Sequence, residues 1–404
     1  MLNNANWLKA RNLLLSLAQP VGAEDVPLPH CGRRVLAFDL TASQAVPPFD
    51  RSAYDGYALR SEDVADASPE KPVTLSITET IQAGAIAQRP VHSGMAAHVM
   101  TGAQIPEGAD CVINFERTSF TAETLTLYSP LRRGDNIVRR GEDVAAGALL
   151  APCGSVIDAG LAGTLAAQGL PLIHVFRKPV IGLLSTGHEV ADVGEDLRPG
   201  QIYDANRAAF TALLENEGCE VRFLGLADDD AEEISEKLAQ GLQCCDAVVL
   251  TGGVSVGSWD VTPQAMEMAG VRLLLRGVEM KPGMACAYGV FGNKLMLGLS
   301  GNPASSLTNF CVCVLPALRK LCGRMDALPR EIKASLTGGF RKKSPSDRFL
   351  RGRLAYADGL VRFIASSSQG NAVLSSAIGC DAFLQIPAGS GPVEDGAVLS
   401  GFVL

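Results

Sequence analysis

Between Lys178 and Gly323 the chain alternates between short apolar segments and amphipathic segments, and this alternation constrains the fold more than any other feature. Each apolar segment has the length of a buried strand and is followed by a polar or glycine-rich loop and then by a helical pattern. This order is typical of a parallel sheet with helices on both faces, so we predict a doubly wound α/β domain over residues 178–325. Its predicted strands are 180–185, 221–226, 247–250 and 294–299, and its helices are 208–218, 231–242 and the segments after Thr262-Pro263 and Asn302-Pro303.

The other segments follow different patterns, and 404 residues are enough for several domains, each with its own core. Residues 43–143 alternate polar and β-branched residues with frequent glycine and proline, which predicts a β-rich insertion. After Asp326, short strands separated by turns indicate a small barrel or sandwich. We therefore predict a multi-domain α/β protein composed of an N-terminal helix on the α/β domain (1–22), a linking α+β domain (23–42 and 144–177), the insertion (43–143), the α/β domain (178–325) and a C-terminal β-barrel (326–404).

Residues 6–20 resemble a short signal sequence, but their periodicity favours an amphipathic helix. Arg11 interrupts any continuous apolar core that a signal sequence would need. The residues that fall on one helical face are Trp7, Leu8, Leu14, Leu15 and Ala18.

Composition excludes several functional classes. The chain has 35 basic and 43 acidic residues and a net charge of −8, the wrong sign for a general nucleic-acid or anionic-membrane binder. No apolar run approaches the roughly 18 residues of a membrane span. Eleven cysteines without framework spacing are typical of reduced thiols that pack as small apolar residues. We therefore expect a soluble cytoplasmic protein, and no zinc site, because His30, His92, His98 and His174 have no metal-ligand spacing.

Four unusual motifs each follow a predicted strand of the α/β domain: STGHE (185–189), ADDD (227–230), TGGVSVGSWD (251–260) and SGNP (300–303). In doubly wound sheets ligands bind beyond the carboxyl ends of the strands, so these segments are expected to meet at one edge. Each motif alone is weak evidence. A glycine-rich loop can be a tight turn, ADDD a solvated turn, and SGNP a helix start with Asn302 as N-cap and Pro303 at the first helical position.

The glycine-rich loop presents backbone N–H groups in the manner of a phosphate loop but has no lysine. Ser258, Trp259 and Asp260 stand where such a loop would carry Lys-Ser/Thr. The ligand of this loop should therefore be an anion that tolerates a neighbouring carboxylate.

Together with further motifs, these loops identify a resemblance. The further motifs are PPFDRSAYDGYALR (47–60), MTGAQIPEGADCVINFE (100–116), RRGEDV (139–144), GQIYDANRAAF (200–210), MKPGM (280–284) and SGNPASSL (300–307). In this order, from about residue 7 to residue 404, the chain resembles the molybdopterin molybdenumtransferase family, which includes bacterial MoeA and the C-terminal part of gephyrin.

The resemblance implies an elongated homodimer in which the α/β domain binds the pterin and the β-rich insertion of the partner leans over it. It implies a reaction between adenylylated molybdopterin and molybdate that releases AMP, requires Mg²⁺ and leaves molybdenum on the dithiolene. Molybdopterin adenylyltransferase and downstream molybdoenzymes are the implied protein partners. The positions that match catalytic residues of the family are Asp55, Thr101, Asp143, Asp228, Lys281 and Arg351, and those that match cofactor-binding residues are Gly252, Gly253, Ser255, Gly257, Gly283, Ser300, Gly301, Asn302 and Pro303.

Within this resemblance, each group has a physical role. Mg²⁺ prefers carboxylate, phosphate and water oxygens, which suits Glu189 and Asp260 as metal ligands. The N–H groups of residues 252–257 are expected to hold the terminal phosphate, and Lys281 and Arg351 to supply positive charge. Two alternatives remain open for Asp55 and Asp143: each positions or deprotonates the attacking water or molybdate oxygen, or each only caps a turn.

The chain departs from the family pattern at four places: His188 replaces aspartate, Met284 replaces lysine, Ser300 replaces proline, and Asn371-Ala372 replaces a serine-glycine pair. Met284 removes an ammonium group that would face phosphate or molybdate, which corresponds to a loss of roughly 10- to 150-fold in affinity or rate. His188 is either a pH-sensitive neighbour of Glu189 or a polar loop residue, and Trp259 either stacks on the pterin or packs under its loop. A carrier that binds molybdopterin without efficient turnover is the alternative function, and a scaffold is a second one.

Overall fold

The computed structural model describes residues 1–254, 261–357 and 359–404. The chain divides into two compact units. The first unit comprises residues 1–38, 153–158 and 172–404, and the second, here called the insertion unit, comprises residues 39–152 and 159–171. The finer boundaries drawn from the sequence stay a prediction.

The first unit begins with β1 (Leu2–Asn6), α1 (Trp7–Leu17) and β2 (Ala23–Pro27). The predicted N-terminal helix is therefore present, and the Asn6 side chain caps it by accepting the N–H of Leu8. The buried stripe of α1 is Trp7, Ala10 and Leu14. Leu8, which the helical pattern had placed on the buried face, is 41% exposed. The buried residues follow one another at spacings of three and then four, starting from Trp7, and Leu8 lies beside this stripe.

The insertion unit is mostly β-structure, as predicted for the insertion. Its largest described sheet has six strands, in the order β8 (Cys111–Asn114), β5 (Gly56–Leu59), β7 (Met95–Val99), β6 (Val73–Ile81), β10 (Thr124–Leu127) and β9 (Ser119–Phe120). Apolar clusters pack on both faces of this sheet. The helix α2 (Ala159–Ala167) also belongs to this unit. The elements are β3 (Leu40–Thr41), β4 (Arg51–Ser52), β5 (Gly56–Leu59), β6 (Val73–Ile81), β7 (Met95–Val99), β8 (Cys111–Asn114), β9 (Ser119–Phe120), β10 (Thr124–Leu127), β11 (Ile137–Val138), β12 (Leu149–Ala151) and α2 (Ala159–Ala167).

The α/β part of the first unit contains the predicted strands and helices. One π-helical turn, Phe310–Val314, interrupts the long predicted helix after Asn302-Pro303 and joins its two halves, Pro303–Asn309 and Leu315–Leu321. The elements are β13 (Leu172–Phe176), β14 (Val180–Thr186), β15 (Val190–Ala191), β16 (Ile202–Tyr203), α3 (Ala205–Asn216), β17 (Glu220–Ala227), α4 (Ala231–Cys244), β18 (Ala247–Thr251), α5 (Thr262–Met268), β19 (Arg272–Lys281), β20 (Cys286–Phe291), β21 (Lys294–Leu299), α6 (Pro303–Asn309) and α7 (Leu315–Leu321).

The central sheet runs in the order β17-β14-β18-β21-β20-β19, with β1 added beside β19. The first four strands are parallel, which confirms the predicted α/β sheet. The sequence pattern missed β19 and β20, and β20 runs antiparallel to both of its neighbours, so the complete sheet is mixed. Separate apolar clusters cover its two faces, as expected for a sheet between helix layers.

The C-terminal strands close into the predicted barrel. They are β22 (Glu331–Thr337), β23 (Asp347–Ala357), β24 (Leu360–Ala365), β25 (Ala382–Ile386) and β26 (Val398–Val403). The order β23-β24-β22-β26-β25 returns to β23, so the five strands form a ring, which distinguishes a barrel from a sandwich. The start of β23 also pairs with the end of β19, where Lys281 is opposite Arg348.

Two further features of the sequence can be compared with the structure: the length of its apolar runs and the state of its cysteines. None of the helices in the described ranges is long and apolar enough to span a membrane. All eleven cysteines are free thiols, and most of them are buried among apolar side chains.

Candidate functional site

The ends of five strands lie along one edge of the central sheet. β14, β17, β18 and β21 are parallel, so their carboxyl ends share that edge. Because β20 is antiparallel to both β21 and β19, β19 runs in the same direction as β21 and also ends there. The motifs after these strands, including the one that carries Lys281, are therefore neighbours although they are distant in sequence.

A cavity of about 300 Å³ opens at this edge. Its walls come from the loops after β14, β17, β18 and β21 and from the start of α3, so the convergence expected from the sequence is present for the described parts of all four motifs. The lining residues include Ser185, Thr186, Gly187, Glu189, Tyr203, Asp204, Asn206, Asp229, Thr251, Gly252, Gly253, Gly301 and Pro303.

A tight turn at Gly252 forms one wall of the cavity. Gly252 has φ +115°, a backbone conformation that favours glycine, and a Cβ atom there would lie 2.6 Å from Thr186 O. Its N–H donates to Leu299 O at 3.0 Å, and the carbonyl oxygen of Gly253 accepts the N–H of Thr262. The end of β21 therefore already occupies the Gly252 N–H, and phosphate binding by the remaining N–H groups of residues 253–257 stays a prediction. Ser255, Gly257, Ser258, Trp259 and Asp260 lie outside the described residues.

Of the predicted magnesium pair, only Glu189 is described. It lines the cavity and is exposed at its mouth, and its backbone oxygen accepts the N–H of Ile202. Asp229 also lines the cavity, and burial, followed by the charge of Glu189, raises its pKa. Within the ranges 1–254, 261–357 and 359–404 no three metal-ligating side chains form a cluster. The carboxylates at the mouth have the donor chemistry of a Mg²⁺ site, to which Asp260 would have to contribute.

Asp228, predicted to be catalytic, is exposed and forms an ion pair with His188. His188 Nδ1 lies 3.0 Å from Asp228 Oδ1, and this hydrogen bond, followed by the charge of Asp228, raises the pKa of His188. The histidine that replaces the family aspartate therefore contacts another acidic loop of the site.

The SGNP segment is fixed to its surroundings by its backbone. Gly301 O accepts a hydrogen bond from Asn206 Nδ2 at 2.9 Å, and Ser300 Oγ accepts the N–H of Asn302 at 3.2 Å. Asn302 occupies the predicted N-cap position of α6, but its side chain makes no capping hydrogen bond, and Pro303 begins the helix. This leaves the Asn302 amide at the surface beside the cavity.

Asn371 also reaches this segment, through its backbone. Its carbonyl oxygen accepts the N–H of Ser305, in the first turn of α6, at 3.1 Å. The side chain that replaces the family serine is therefore held next to the SGNP helix without making this contact itself.

The MKPGM segment begins with the last two residues of β19 and leads toward β20. Lys281 is exposed, as an anion contact requires, and Met284 is 57% exposed. Gly283 O accepts a hydrogen bond from Asn309 Nδ2 at 2.6 Å, which ties the segment to α6. An exposed methionine therefore stands where the family pattern has an ammonium group.

Arg351, expected to supply positive charge to an anion, is fully buried. Its guanidinium donates to Ser376 Oγ, Thr308 Oγ1 and Gly370 O, which links β23 to the helix after SGNP. Burial lowers the pKa of this group. The buried side chain therefore has a structural role in the first unit, and the anion contact stays a prediction.

The remaining predicted residues lie in the insertion unit. Asp55 Oδ1 accepts hydrogen bonds from the N–H of Thr101 at 2.6 Å and from its hydroxyl at 2.7 Å. Asp143 has an exposed side chain, and its N–H donates to Val46 O. The structure thus brings Asp55 and Thr101 together, and both alternatives for the role of Asp55 stay open.

Sequence reasoning missed three buried polar groups of the cavity: Ser185, Asp204 and Thr251. Ser185 Oγ, Asp204 Oδ2 and Thr251 Oγ1 have no hydrogen-bond partner within the described part of the chain. Each lies inside a motif that was noted, but nothing in the local sequence reveals that its oxygen atom is buried without a partner.

Comparison with known proteins matches almost the entire chain. Three family models match, described as "MoeA N-terminal region (domain I and II)" over residues 6–169, "Probable molybdopterin binding domain" over 182–320 and "MoeA C-terminal region (domain IV)" over 333–400. A molybdopterin molybdenumtransferase of Staphylococcus aureus is 32% identical over 356 residues, which is 88% of this chain and 85% of the relative. One from Staphylococcus epidermidis is 32% identical over 365 residues, 90% of this chain and 87% of the relative.

Solved structures agree with this result. The crystal structure of the molybdopterin biosynthesis MoeA protein from Pyrococcus horikoshii has a TM-score of 0.86 and 31% identity, and covers 99% of both chains. A molybdenum cofactor biosynthesis protein from Pyrococcus furiosus, at 20% identity and a TM-score of 0.60, shares the fold.

Proposed function

The chain belongs to the molybdopterin molybdenumtransferase (MoeA) family of molybdenum cofactor biosynthesis, and from this premise we propose that it inserts molybdate into adenylylated molybdopterin and releases AMP. The observation that carries the proposal is the cavity of about 300 Å³ at the sheet edge, where four loops that match family motifs meet. Cavities of about this volume and upward hold small-molecule ligands, and this edge is where α/β sheets bind them.

The cavity offers different chemistry to the two ends of such a substrate. Its interior is lined by hydroxyl and carboxylate groups from β14, β18 and the start of α3. At the same sheet edge, Lys281 offers an exposed ammonium group that can pair with phosphate or molybdate oxygens. A ligand with a polar ring and an anionic tail suits this arrangement.

Mg²⁺ is part of the proposal. Glu189 at the mouth, with Asp260, would hold the ion, which would neutralise charge on the pyrophosphate bridge. Glu189 and Asp229 together put enough negative charge at the mouth that a phosphate needs a cation beside it. The residues of this chain then bind and orient the substrate around that cation.

Asp55 and Asp143 are proposed to position or deprotonate the attacking water or molybdate oxygen, a role that contributes on the order of 10²- to 10⁴-fold in such reactions. Thr101 would orient Asp55 through its two hydrogen bonds. These bonds lower the pKa of Asp55, so its carboxylate stays ionised. An ionised carboxylate of low pKa is better suited to positioning the attacking group than to accepting a proton from it.

The cellular setting follows from the same premise. We propose a cytoplasmic homodimer that receives adenylylated molybdopterin from a molybdopterin adenylyltransferase and passes the finished cofactor to molybdoenzymes. Met284 would weaken anion binding relative to a lysine, yet Lys281 at the same segment retains one cation. Reduced rather than absent turnover is the consequence.

The test is complementation. The gene is expressed in a cell that lacks its own molybdenum insertase, and the activity of a resident molybdoenzyme is measured. We expect the wild type and a Glu195→Gln variant to restore activity and a Glu189→Gln variant to fail, because both glutamates are exposed but only Glu189 lines the cavity. Failure of the wild-type protein, expressed and folded, would contradict the proposal and favour a carrier that binds without turnover.

A further inference from the structure

Asp204 has one engaged and one unengaged carboxylate oxygen. Oδ1 accepts the N–H of Arg207 at 2.9 Å and so caps α3. Oδ2 is buried and has no hydrogen-bond partner among the described residues, and the residue is only 4% exposed. Helix capping therefore explains the position of Oδ1 but not the burial of Oδ2.

Two hydroxyl groups share this property. Ser185 and Thr251 are opposite each other in the parallel pairing of β14 and β18, so their side chains lie side by side on one face of the sheet. Each residue is 2% exposed, and neither hydroxyl has a partner in the described ranges. Ser185, Asp204 and Thr251 all line the same cavity.

Buried polar groups without partners are rare in folded proteins because each loses its hydrogen bonds to water and regains none. Three of them around one cavity indicate that the missing partners belong to a ligand. The cavity is thus already arranged for hydrogen bonds that the described part of the chain does not make within itself.

The hydrogen-bonding chemistry of Ser185, Asp204 and Thr251 determines which part of a ligand can bind inside the cavity. A carboxylate only accepts hydrogen bonds, and it repels phosphate and molybdate. Hydroxyl groups donate and accept, so they tolerate either kind of neighbour. The matching group is a neutral ring edge that presents N–H donors, such as the 2-amino group and the adjacent ring N–H of an aminopyrimidinone.

We propose that Asp204 is a specificity-determining residue that accepts hydrogen bonds through Oδ2 from the amino-substituted edge of the pterin, with Ser185 and Thr251 completing the polar floor. The inference rests on the proposed function and deepens it, because it states which end of the substrate occupies the cavity. The anionic tail is thereby directed toward the mouth, where Glu189 is exposed, and Lys281 is exposed at the same sheet edge.

The test compares two ring systems that differ at one substituent. Pterin (2-amino-4-oxopteridine) carries the amino group, and lumazine (2,4-dioxopteridine) has a carbonyl oxygen in its place. Dissociation constants of both are measured by fluorescence titration of the full-length protein without Mg²⁺, so that a metal-ligand role for Asp204 does not contribute. We expect the wild type to bind pterin at least about tenfold tighter than lumazine, the factor that one hydrogen bond to a charged group carries.

Two variants remove the carboxylate and keep the helix cap. Asp204→Asn and Asp204→Ser each retain an oxygen that can accept the N–H of Arg207. Both are expected to lose the preference for pterin, and urea unfolding confirms that they fold. The matched control is Asp230→Asn, because Asp230 caps α4 in the same way, through the N–H groups of Glu232 and Glu233, and is not among the lining residues.

The inference is overturned if the wild type binds neither ring or binds both equally, or if Asp204→Asn and Asp204→Ser keep the tenfold preference. AMP release from adenylylated molybdopterin by the wild type is measured in parallel. Turnover together with an unchanged preference in the variants contradicts only the role of Asp204. A preference that depends on Asp204 in a protein that releases no AMP contradicts only the proposed reaction.

Discussion

Asp55 and Thr101 are joined by two hydrogen bonds to a single oxygen atom, one from the backbone N–H of Thr101 at 2.6 Å and one from its hydroxyl at 2.7 Å. The backbone bond, followed by the side-chain bond, lowers the pKa of Asp55. The two residues come from motifs 46 positions apart, so their contact was not visible in either motif. It links two of the positions that match catalytic residues of the family.

Substitution of Asp55 tests this link. An Asp55→Asn variant is expected to release AMP from adenylylated molybdopterin about 10²- to 10⁴-fold more slowly, the range for loss of a positioned acid or base group. Thr101→Ser keeps both donors and should retain the wild-type rate, whereas Thr101→Ala loses the hydroxyl and should fall between the two. If Asp55→Asn releases AMP at the wild-type rate, Asp55 has no catalytic role and only caps a turn.

Restoring the missing ammonium group should increase activity. Met284 is 57% exposed in the segment that carries Lys281, so a lysine fits without repacking the core. Met284→Lys is expected to raise molybdate-dependent turnover at limiting molybdate by about 10- to 150-fold, the value of a charge-assisted hydrogen bond. Met325→Lys changes an equally exposed methionine elsewhere and should have no effect. An equal gain in both variants would point to overall charge instead of a specific contact.

The turn at Gly252 should tolerate no side chain. Gly252→Ala combines a φ of +115° with a Cβ atom 2.6 Å from Thr186 O, and it is expected to lower the free energy of unfolding by about 3 kcal/mol or more. Gly292→Ala is the matched control. Gly292 has φ +61° and open space around it, so only the backbone cost of about 1 kcal/mol applies. Urea denaturation measures both values, and equal losses would show that the packing against Thr186 is irrelevant.

The sequence predicted β14, β18 and β21, which are buried over almost their entire length. β14, β18 and β21 are short apolar runs between loops, so composition alone identifies them. β19 was missed because it mixes leucines with Arg272, Arg276 and Glu279, and because its pairing with β20 shifts register between Leu273 and Leu275. β20 was missed although Gly292-Asn293, which joins it to β21, is a dipeptide typical of hairpin turns.

The sequence allowed the location of the candidate site to be predicted, but not the burial and hydrogen bonding of its individual side chains. Parallel strands with polar loops at their carboxyl ends must bring those loops together, so the position of Glu189 and Gly301 followed from the pattern. The burial of Arg351 and the unpartnered oxygen of Asp204 depend on which elements pack against them. Such tertiary contacts leave no local signal in the sequence.

Acid should weaken the anchor between Arg177 and Asp246. Burial raises the pKa of Asp246, but hydrogen bonds from Arg177 at 2.6 and 2.7 Å and from the N–H of Val180 outweigh burial, and the net pKa is lowered. A lowered pKa in the folded state contributes stability above the unfolded-state pKa of about 3.9, and this stability is lost as the pH falls through the folded-state pKa.

Asp246→Asn is therefore expected to lower the free energy of unfolding by about 1 to 3 kcal/mol at pH 7 and by progressively less below about pH 4. Asp326→Asn breaks a similar pair with Arg324, but the Asp326 side chain is 61% exposed, so its loss should cost at most about 1 kcal/mol. Urea denaturation between pH 3 and pH 7 gives the comparison. A difference between wild type and Asp246→Asn that does not change with pH would contradict the assignment.

We propose that the loops at the carboxyl edge of β14, β17, β18 and β21 form the site at which an adenylylated pterin meets molybdate. To test this, the purified protein is mixed with adenylylated molybdopterin and Mg²⁺, molybdate is added, and AMP is measured by chromatography. AMP should appear only after molybdate is added, and Glu189→Gln should abolish its release. Tight binding of the adenylate, with no AMP released by the wild-type protein, would contradict this proposal.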